Sequence, residues 1–355
     1  MKKVFAVTAA LVLLCLGIAA QANVFNLGAG FTNLETVFVG DRGNDPDTRY
    51  ANPGYGSVGY NYNIGKYEVT AKQYTDFLNA KAKTDTYGLY NSQMSDPTFI
   101  GPTWSLGCNI QRSGGGTVAD PYIYTVAHDW ANRPVNHVSY WDACRFANWL
   151  GNGQGNGDTE TGAYTQNGYN GNDGRTIKRN PGSTWVVTSE DEWYKAAYYK
   201  GGGTKAGYWD YPMQSDISTI PSNVITNPDG GNNANFYEAG STIFGSIGSP
   251  YYRTNVGEFE NSGSAYGTFD QCGNVFEWNE AIVYQDANNT DRGLRGGSFD
   301  DDGHFLQASA RYDGGYPACE ASHFGFRVAY VPEPSSIITL AGGLIGLLGI
   351  RRRRA

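Results

Sequence analysis

The chain has 355 residues, 34 acidic and 26 basic, and a formal net charge of −8 at pH 7. Six of the basic residues stand at the two ends (Lys2, Lys3 and residues 351–354), and without them 20 basic residues face 34 acidic ones, a net charge of −14. This acidic body argues against binding to nucleic acid or anionic lipid, and 48 glycines and 26 tyrosines with only 17% charged residues predict loops and aromatic packing rather than a helical bundle.

The first 22 residues have the pattern of a secretory signal peptide. Lys2 and Lys3 precede an apolar stretch over residues 4–20, and Ala20 and Ala22 place small residues at both positions before a cleavage site. We therefore expect export of the chain and a mature start near residue 23.

The first recognisable elements follow a loop-rich segment over residues 23–60. Residues 60–69 alternate between polar and apolar, which predicts a strand. Thr70 then caps a helix. The residues spaced on one face of this helix are Tyr74, Phe77 and Leu78. Residues 84–130 are polar and irregular and predict a loop.

Two further strand-to-helix units are predicted. Residues 134–139 form a short strand that ends at the capping Ser139, with Asp142 at the capping-box position of a helix over 141–150. Its inward residues are Cys144, Phe146, Ala147 and Leu150.

The second unit is a strand over residues 184–188, followed by a helix that Ser189 caps with Glu192. Its inward residues are Trp193, Ala196 and Ala197. Residues 151–182 and 200–268 predict loops. Two or three short helices, scattered strands and long loops together predict one mixed α+β domain.

Four cysteines remain after Cys15 leaves with the signal peptide: Cys108, Cys144, Cys272 and Cys319. An even number in an exported chain predicts two disulfides, with three possible connectivities. Four buried thiols are the alternative. The spacings are too wide for a zinc site of the Cys-x-x-Cys type, and the four histidines are scattered and form no ligand pair.

The C-terminal segment has three parts. The motif residues are Pro332, Glu333 and Pro334. The apolar run over 337–350 is shorter than the roughly 20 residues of a spanning helix, and the arginines at 351–354 oppose export through the bilayer. This tail resembles the PEP-CTERM sorting signal of Gram-negative bacteria.

That resemblance implies transient anchoring in the inner membrane, cleavage by an exosortase near the motif and release to the cell surface or the polysaccharide matrix. An ordinary tail anchor is the alternative.

Six sequence blocks stand in a fixed order along the rest of the chain. They are Ile-Gly-Lys-Tyr-Glu-Val-Thr at 64–70, Arg-Pro-Val-Asn-His-Val-Ser at 133–139, Thr-Ser-Glu-Asp-Glu-Trp at 188–193, Gly-Asn-Val-Phe-Glu-Trp at 273–278, Arg-Gly-Gly-Ser-Phe at 295–299 and Gly-Phe-Arg at 325–327. Together they resemble the formylglycine-generating enzyme, or sulfatase-modifying factor, domain over about residues 36–330.

The resemblance implies a variant of the C-type lectin fold with low secondary-structure content. We therefore expect a signal peptide over 1–22, a domain over 23–330 and a sorting tail over 331–355.

Active enzymes of this family oxidise a sulfatase cysteine with copper held by two cysteines, because Cu(I) prefers soft thiolate ligands. The resemblance places these positions after Ser298, at Asp301 and, by an ungapped count, at Leu306. There is no cysteine between Cys272 and Cys319. The chain is therefore predicted to lack the oxidase chemistry, and copper is not expected.

The three consecutive carboxylates at 300–302 are either part of a solvated loop or a site for a cation or for acid–base chemistry.

Calcium is the expected cofactor. The resemblance places four ligands of an inner site on Asp270, the carbonyls of Gly273 and Val275, and Glu277. A second calcium site would use Asn235 and the carbonyls of Phe236 and Tyr251, although Ser249 stands where its acidic ligand is expected.

The leading functional hypothesis is a non-catalytic, exported interaction module at the cell surface or in the extracellular matrix. Its expected partners are the processing exosortase and either extracellular polysaccharide or surface proteins, but not nucleic acid. The alternatives are a divergent formylglycine-generating oxidoreductase and a structural component of the matrix.

Overall fold

The structure is a computed structural model that describes residues 31–332, apart from 101–102, 217–220, 239–240 and 242–243. The predicted signal peptide at 1–22 and the apolar and arginine-rich tail at 337–354 lie outside the described residues. In the described part, none of the helices is long and apolar enough to cross a membrane.

In the described residues, short strands and four α-helices are connected by long loops. The strands are β1 (Thr36–Val39), β2 (Tyr62–Gly65), β3 (Phe99–Ile100), β4 (Thr103–Trp104), β5 (Ile110–Ser113), β6 (Ile123–Val126), β7 (Trp185–Val187), β8 (Phe276–Gln285), β9 (Thr290–Arg295), β10 (Phe324–Gly325) and β11 (Val328–Tyr330). The helices are α1 (Ala71–Lys81), α2 (His128–Ala131), α3 (Tyr140–Gly151) and α4 (Glu190–Tyr198).

The main sheet has the order β1–β2–β11–β7, and all its pairs are antiparallel. Ala329 lies opposite Ile64 on one side and Val186 on the other. The last strand of the described chain thus lies between a strand near its start and one from its middle, which joins distant parts of the sequence into one sheet.

A second sheet carries the C-terminal sequence blocks. β8 pairs antiparallel with β9, with Glu277 opposite Arg295, and parallel with the short β10. This arrangement brings the blocks at 273–278, 295–299 and 325–327 next to one another.

Capping boxes begin the three longer helices, as local sequence predicts. Thr70 exchanges hydrogen bonds with Gln73, Ser139 with Asp142, and Ser189 with Glu192. The inward residues predicted for α1, α3 and α4 are all buried. However, residues 140–150 of α3 are buried on every side, so this helix crosses the interior instead of lying on its surface.

The core is aromatic, as the composition predicts. The ring of Phe146 lies 5.4 Å from those of Phe77 and Phe326, 5.6 Å from that of Trp149 and 6.4 Å from that of Tyr74. These contacts join α1, α3 and the segment before β11 into one packed layer.

Two predictions of local structure are wrong. Residues 134–139 form no strand beyond one isolated bridge from Pro134 to Thr70. His137 adopts a positive φ of 54°, which interrupts the extended backbone. Asn136 donates to the carbonyls of Leu106 and Ser322. The segment at 84–130 is not only loop, since it contains β3–β6, α2 and a 3-10 helix at Ser92–Ser95. One residue of β5 is buried and three are exposed, so this strand has no alternating apolar pattern from which it could be predicted.

The prediction of two disulfides is also wrong. All four thiols are unpaired, with Cys108, Cys144 and Cys272 buried and Cys319 partly buried. Cys108 and Cys144 pack in the main core, whereas Cys272 belongs to a separate apolar cluster. Burial raises the pKa of each of the four thiols, so they serve as apolar packing groups.

Candidate functional site

The turn after β9 holds Ser298, the start of the degenerate reaction centre. Gly296 and Gly297 have φ values of 101° and 69°, which only glycine adopts without strain. The backbone N–H of Phe299 then donates to the carbonyl of Asn274 at 3.1 Å. The turn is thereby attached to the block at 273–278, and Ser298 is buried beneath it.

Two carboxyl groups share the hydroxyl of Ser298. The hydroxyl oxygen lies 2.5 Å from Asp300 Oδ1 and also contacts Asp301 Oδ2. Burial, followed by the neighbouring Asp300, raises the pKa of Asp301 to about 6. His323 Nδ1 lies 3.9 Å from the other carboxyl oxygen of Asp300, Oδ2. This group offers hard oxygens and a proton that can be shared, but no soft ligand for Cu(I).

Leu306 points into an apolar core. It is fully buried in a cluster that contains Tyr211, Met213, Ala234, Phe236 and Cys272. The thiol of Cys272 donates to the Leu306 carbonyl at 3.1 Å. One thiol therefore lies close to the second expected cysteine position, but it is 3% exposed and burial raises its pKa well above 9.0.

The four predicted ligands of the inner calcium site lie at the entry to β8. Asp270, Gly273 and Asn274 have positive φ values of 58°, 84° and 54°, which wind the backbone into a tight turn. A Cβ on Gly273 would lie 2.1 Å from the carbonyl oxygen of Asn235, so no other residue fits there. Asp270 is partly buried, and burial raises the pKa of its carboxyl to about 6.

Glu277 is already paired. Its two oxygens accept from Nε and Nη2 of Arg327, both at 2.6 Å, and Oε2 also accepts from Trp193 Nε1 at 2.7 Å. The Glu277 and Arg327 side chains are 1% and 0% exposed. Such a bidentate buried pair balances its own charge.

Glu68 is the carboxylate that sequence reasoning missed. It is 1% exposed, and among the described residues neither of its oxygens has a hydrogen-bond partner. Burial, then Asp270 and Glu277, raise the pKa of Glu68 well above 4.5. An unbalanced buried carboxylate near a second one is the environment that a hard cation such as Ca²⁺ stabilises. The sequence could have indicated Glu68 as a candidate ligand, because it is a glutamate inside the block at 64–70, between a strand and a capped helix.

The predicted residues of the second calcium site have other partners in the described structure. The Asn235 amide donates to Tyr252 O at 2.9 Å and to Asn274 Oδ1 at 2.7 Å, and its oxygen accepts from Ser246 N at 2.6 Å. Asn235 thus holds loops together.

The other two residues predicted for this second site are Phe236 and Tyr251. The predicted ligands are their carbonyls: that of Phe236 accepts from Asn223 Nδ2 at 3.3 Å, and that of Tyr251 accepts from Arg253 N at 2.6 Å. In the described part of the chain, no three His, Cys, Asp or Glu side chains form a metal-binding group. Both calcium sites remain predictions.

Comparison with known proteins places these observations in a family context. Residues 36–331 match the family described as Sulfatase-modifying factor enzyme 1-like domain, and residues 331–354 match the PEP-CTERM protein-sorting motif. Of the motif residues, Pro332 is described and exposed, whereas Glu333 and Pro334 lie outside the described residues. No curated protein matches the chain.

Two solved structures share the fold. The crystal structure of CarF is 21% identical, with a TM-score of 0.51 over 84% of this chain and 98% of that one. Treponema denticola variable protein 1 is 17% identical, with a TM-score of 0.50 over 86% of this chain and 98% of that one. The predicted α+β fold of the C-type-lectin-like, formylglycine-generating enzyme type is therefore confirmed.

Proposed function

Because this chain belongs to the Sulfatase-modifying factor enzyme 1-like domain family over residues 36–331, we propose that it is an interaction module that uses this scaffold without the oxidase chemistry. Its PEP-CTERM motif implies exosortase-type sorting and makes it an exported protein of the Gram-negative cell envelope. The proposed partners are extracellular polysaccharide or other surface proteins, reached after transient anchoring in the inner membrane.

The observation that carries this proposal is the chemistry at the two expected cysteine positions. Asp301 supplies a carboxyl that bonds to Ser298, and Leu306 supplies a buried hydrocarbon. Neither binds Cu(I), and neither forms a mixed disulfide with a substrate cysteine.

Calcium has a structural role in this proposal. Glu68 and Asp270 would supply carboxylate oxygens, with carbonyls from Gly273 and Val275, while Glu277 balances Arg327. The support is the buried, unpartnered carboxylate of Glu68 and the oxygen-only ligand set, which suits a hard cation. When bound, the ion would neutralise the repulsion between the two carboxylates and fix the turn before β8.

The direct test is an assay with a sulfatase peptide that contains the substrate cysteine. The mature protein should form no aldehyde above a heat-killed control, with or without added copper. The double variant Asp301→Cys, Leu306→Cys tests for copper binding, with Asp301→Ser, Leu306→Ser as the matched control without thiols. Aldehyde formation by the unmodified protein would overturn the non-catalytic proposal.

A divergent oxidase is the second candidate, and Cys272 is the observation that favours it. Its sulfur lies against the Leu306 carbonyl, so a local opening would expose one thiol there. Under this alternative, Cys272→Ser abolishes aldehyde formation, whereas Cys144→Ser, which removes a thiol from the main core, leaves it in place.

A further inference from the structure

A cleft beside the connection between β2 and α1 has Glu68 in its lining and therefore adjoins the proposed calcium site. Its volume is about 620 Å³, and its walls come from residues 32–35, the connection at 67–73 between β2 and α1, and residues 255–256. Ligand pockets typically measure roughly 300–1,000 Å³. The cleft is therefore large enough for a short oligomeric ligand.

Four carboxamides contribute to the polar lining. They belong to Asn33, Gln73, Asn132 and Asn255. Each carboxamide has both donors and an acceptor, which is the combination that recognises sugar hydroxyls, since a hydroxyl also donates and accepts. Tyr67 adds a partly exposed aromatic ring beside them, which packs 5.8 Å from Phe269.

Three of the four charged residues of the cleft are paired, Lys72 with Asp76 in the lining and Glu35 with Lys66 outside it. Lys72 lies 2.6 Å from Asp76, and Lys66 lies 2.9 Å from Glu35. The remaining carboxylate, Glu68, is the one assigned above to calcium. With the cation bound the cleft is close to neutral, which disfavours both polyanionic and polycationic ligands.

Hydrogen bonds hold the walls in place before a ligand arrives. The Gln73 amide donates to the carbonyl of Asn33 at 2.7 Å, and its oxygen accepts from Thr70 N at 2.9 Å in the capping box. These contacts join the N-terminal segment to the start of α1. A preorganised wall lowers the entropic cost of binding.

From this geometry we infer that the cleft binds a neutral oligosaccharide segment of the matrix. This inference rests on the proposed function and names its ligand class. Hydroxyls would bond to Asn132 and Asn255, and the apolar face of a sugar ring would pack on Tyr67.

The test uses sedimentation of the mature protein, in calcium, with extracellular polysaccharide that anion exchange has separated into neutral and acidic fractions. Val256→Trp fills the cleft, and Val224→Trp is the matched control, because Val224 is 58% exposed and does not line the cleft. Circular dichroism and thermal melting establish that both variants are folded.

We expect the wild type and Val224→Trp to bind the neutral fraction, and Val256→Trp to bind it at least tenfold more weakly. The double variant Asn132→Ala, Asn255→Ala should also lose about tenfold in affinity, as expected for loss of ligand hydrogen bonds.

Equal binding by both tryptophan variants, or binding only to the acidic fraction, would overturn the cleft assignment while the matrix role stands. Binding to neither fraction would overturn the cleft and the polysaccharide role together.

Discussion

Replacing Glu68 with glutamine separates the effect of calcium from the intrinsic stability of the fold. In the wild type, burial raises the pKa of Glu68 well above its ordinary value of 4.5. Without calcium, the buried carboxyl therefore makes the free energy of unfolding lower at pH 7 than at acid pH. Glutamine has no such cost, so Glu68→Gln should be more stable than the wild type in chelator at pH 7.

Calcium should reverse that order. An ion that binds only the folded state adds about 2.7 kcal/mol at a hundredfold excess over its Kd. For a domain of this size, that corresponds to a rise in melting temperature of roughly 4–8 °C. The wild type should show this rise and Glu68→Gln should lose it, because the substitution removes a charged ligand.

Thermal melting with calcium and with chelator, between pH 4 and pH 7, measures both effects. A raised carboxyl pKa gives stability that is fully present below pH 4.5 and is lost as the pH rises, so in chelator the wild type should weaken more towards pH 7 than Glu68→Gln does. Glu35→Gln is the matched control, since its side chain is 45% exposed and pairs with Lys66. An unchanged wild-type melting temperature in chelator, or a full calcium response in Glu68→Gln, would refute the site.

Three further predictions concern other parts of the molecule. Glu277→Ala should lower the free energy of unfolding in urea by about 3–5 kcal/mol with or without calcium, because it leaves Arg327 buried without its acid; a loss seen only with calcium would instead make Glu277 a ligand. Burial and then Asp142 raise the pKa of Glu320 to about 8, so its contribution to stability falls as the pH rises from about 4.5 to 8. Glu320→Gln should therefore raise the melting temperature more at pH 8 than at pH 5, and an equal effect at both would contradict the titration. Glu333→Ala should leave protein in the inner membrane with its arginine tail intact by mass spectrometry, and normal release would argue against cleavage at the motif.

The sequence predicted most successfully where neighbouring residues act on one another. Thr70, Ser139 and Ser189 each cap a helix through a residue three positions later. Such contacts are complete within one turn and need no tertiary context. The family blocks and the PEP-CTERM tail are likewise contiguous patterns. The lack of a cysteine between residues 272 and 319 can also be read directly from the sequence.

Prediction from sequence failed where a residue's partner lies far along the chain. The extended backbone expected at 134–139 is interrupted because Asn136 and His137 bond to segments around residues 105 and 322. Two disulfides were expected from an even count of cysteines, but cysteine count carries no information about distance. Cys272 lies in a different cluster from Cys108 and Cys144, and those two are unpaired within the main core.

The candidate metal site shows the same division. The turn at Gly273 follows from a local block, whereas the pairing of Glu277 with Arg327 joins residues 50 positions apart. Asp270 lies near Glu68 through another long-range contact, since the backbone N–H of Phe269 donates to the carbonyl of Lys66 at 2.9 Å. The role of a carboxylate depends on whether it faces a cation, a guanidinium or water. Burial and long-range contacts in the folded chain determine which of these it faces.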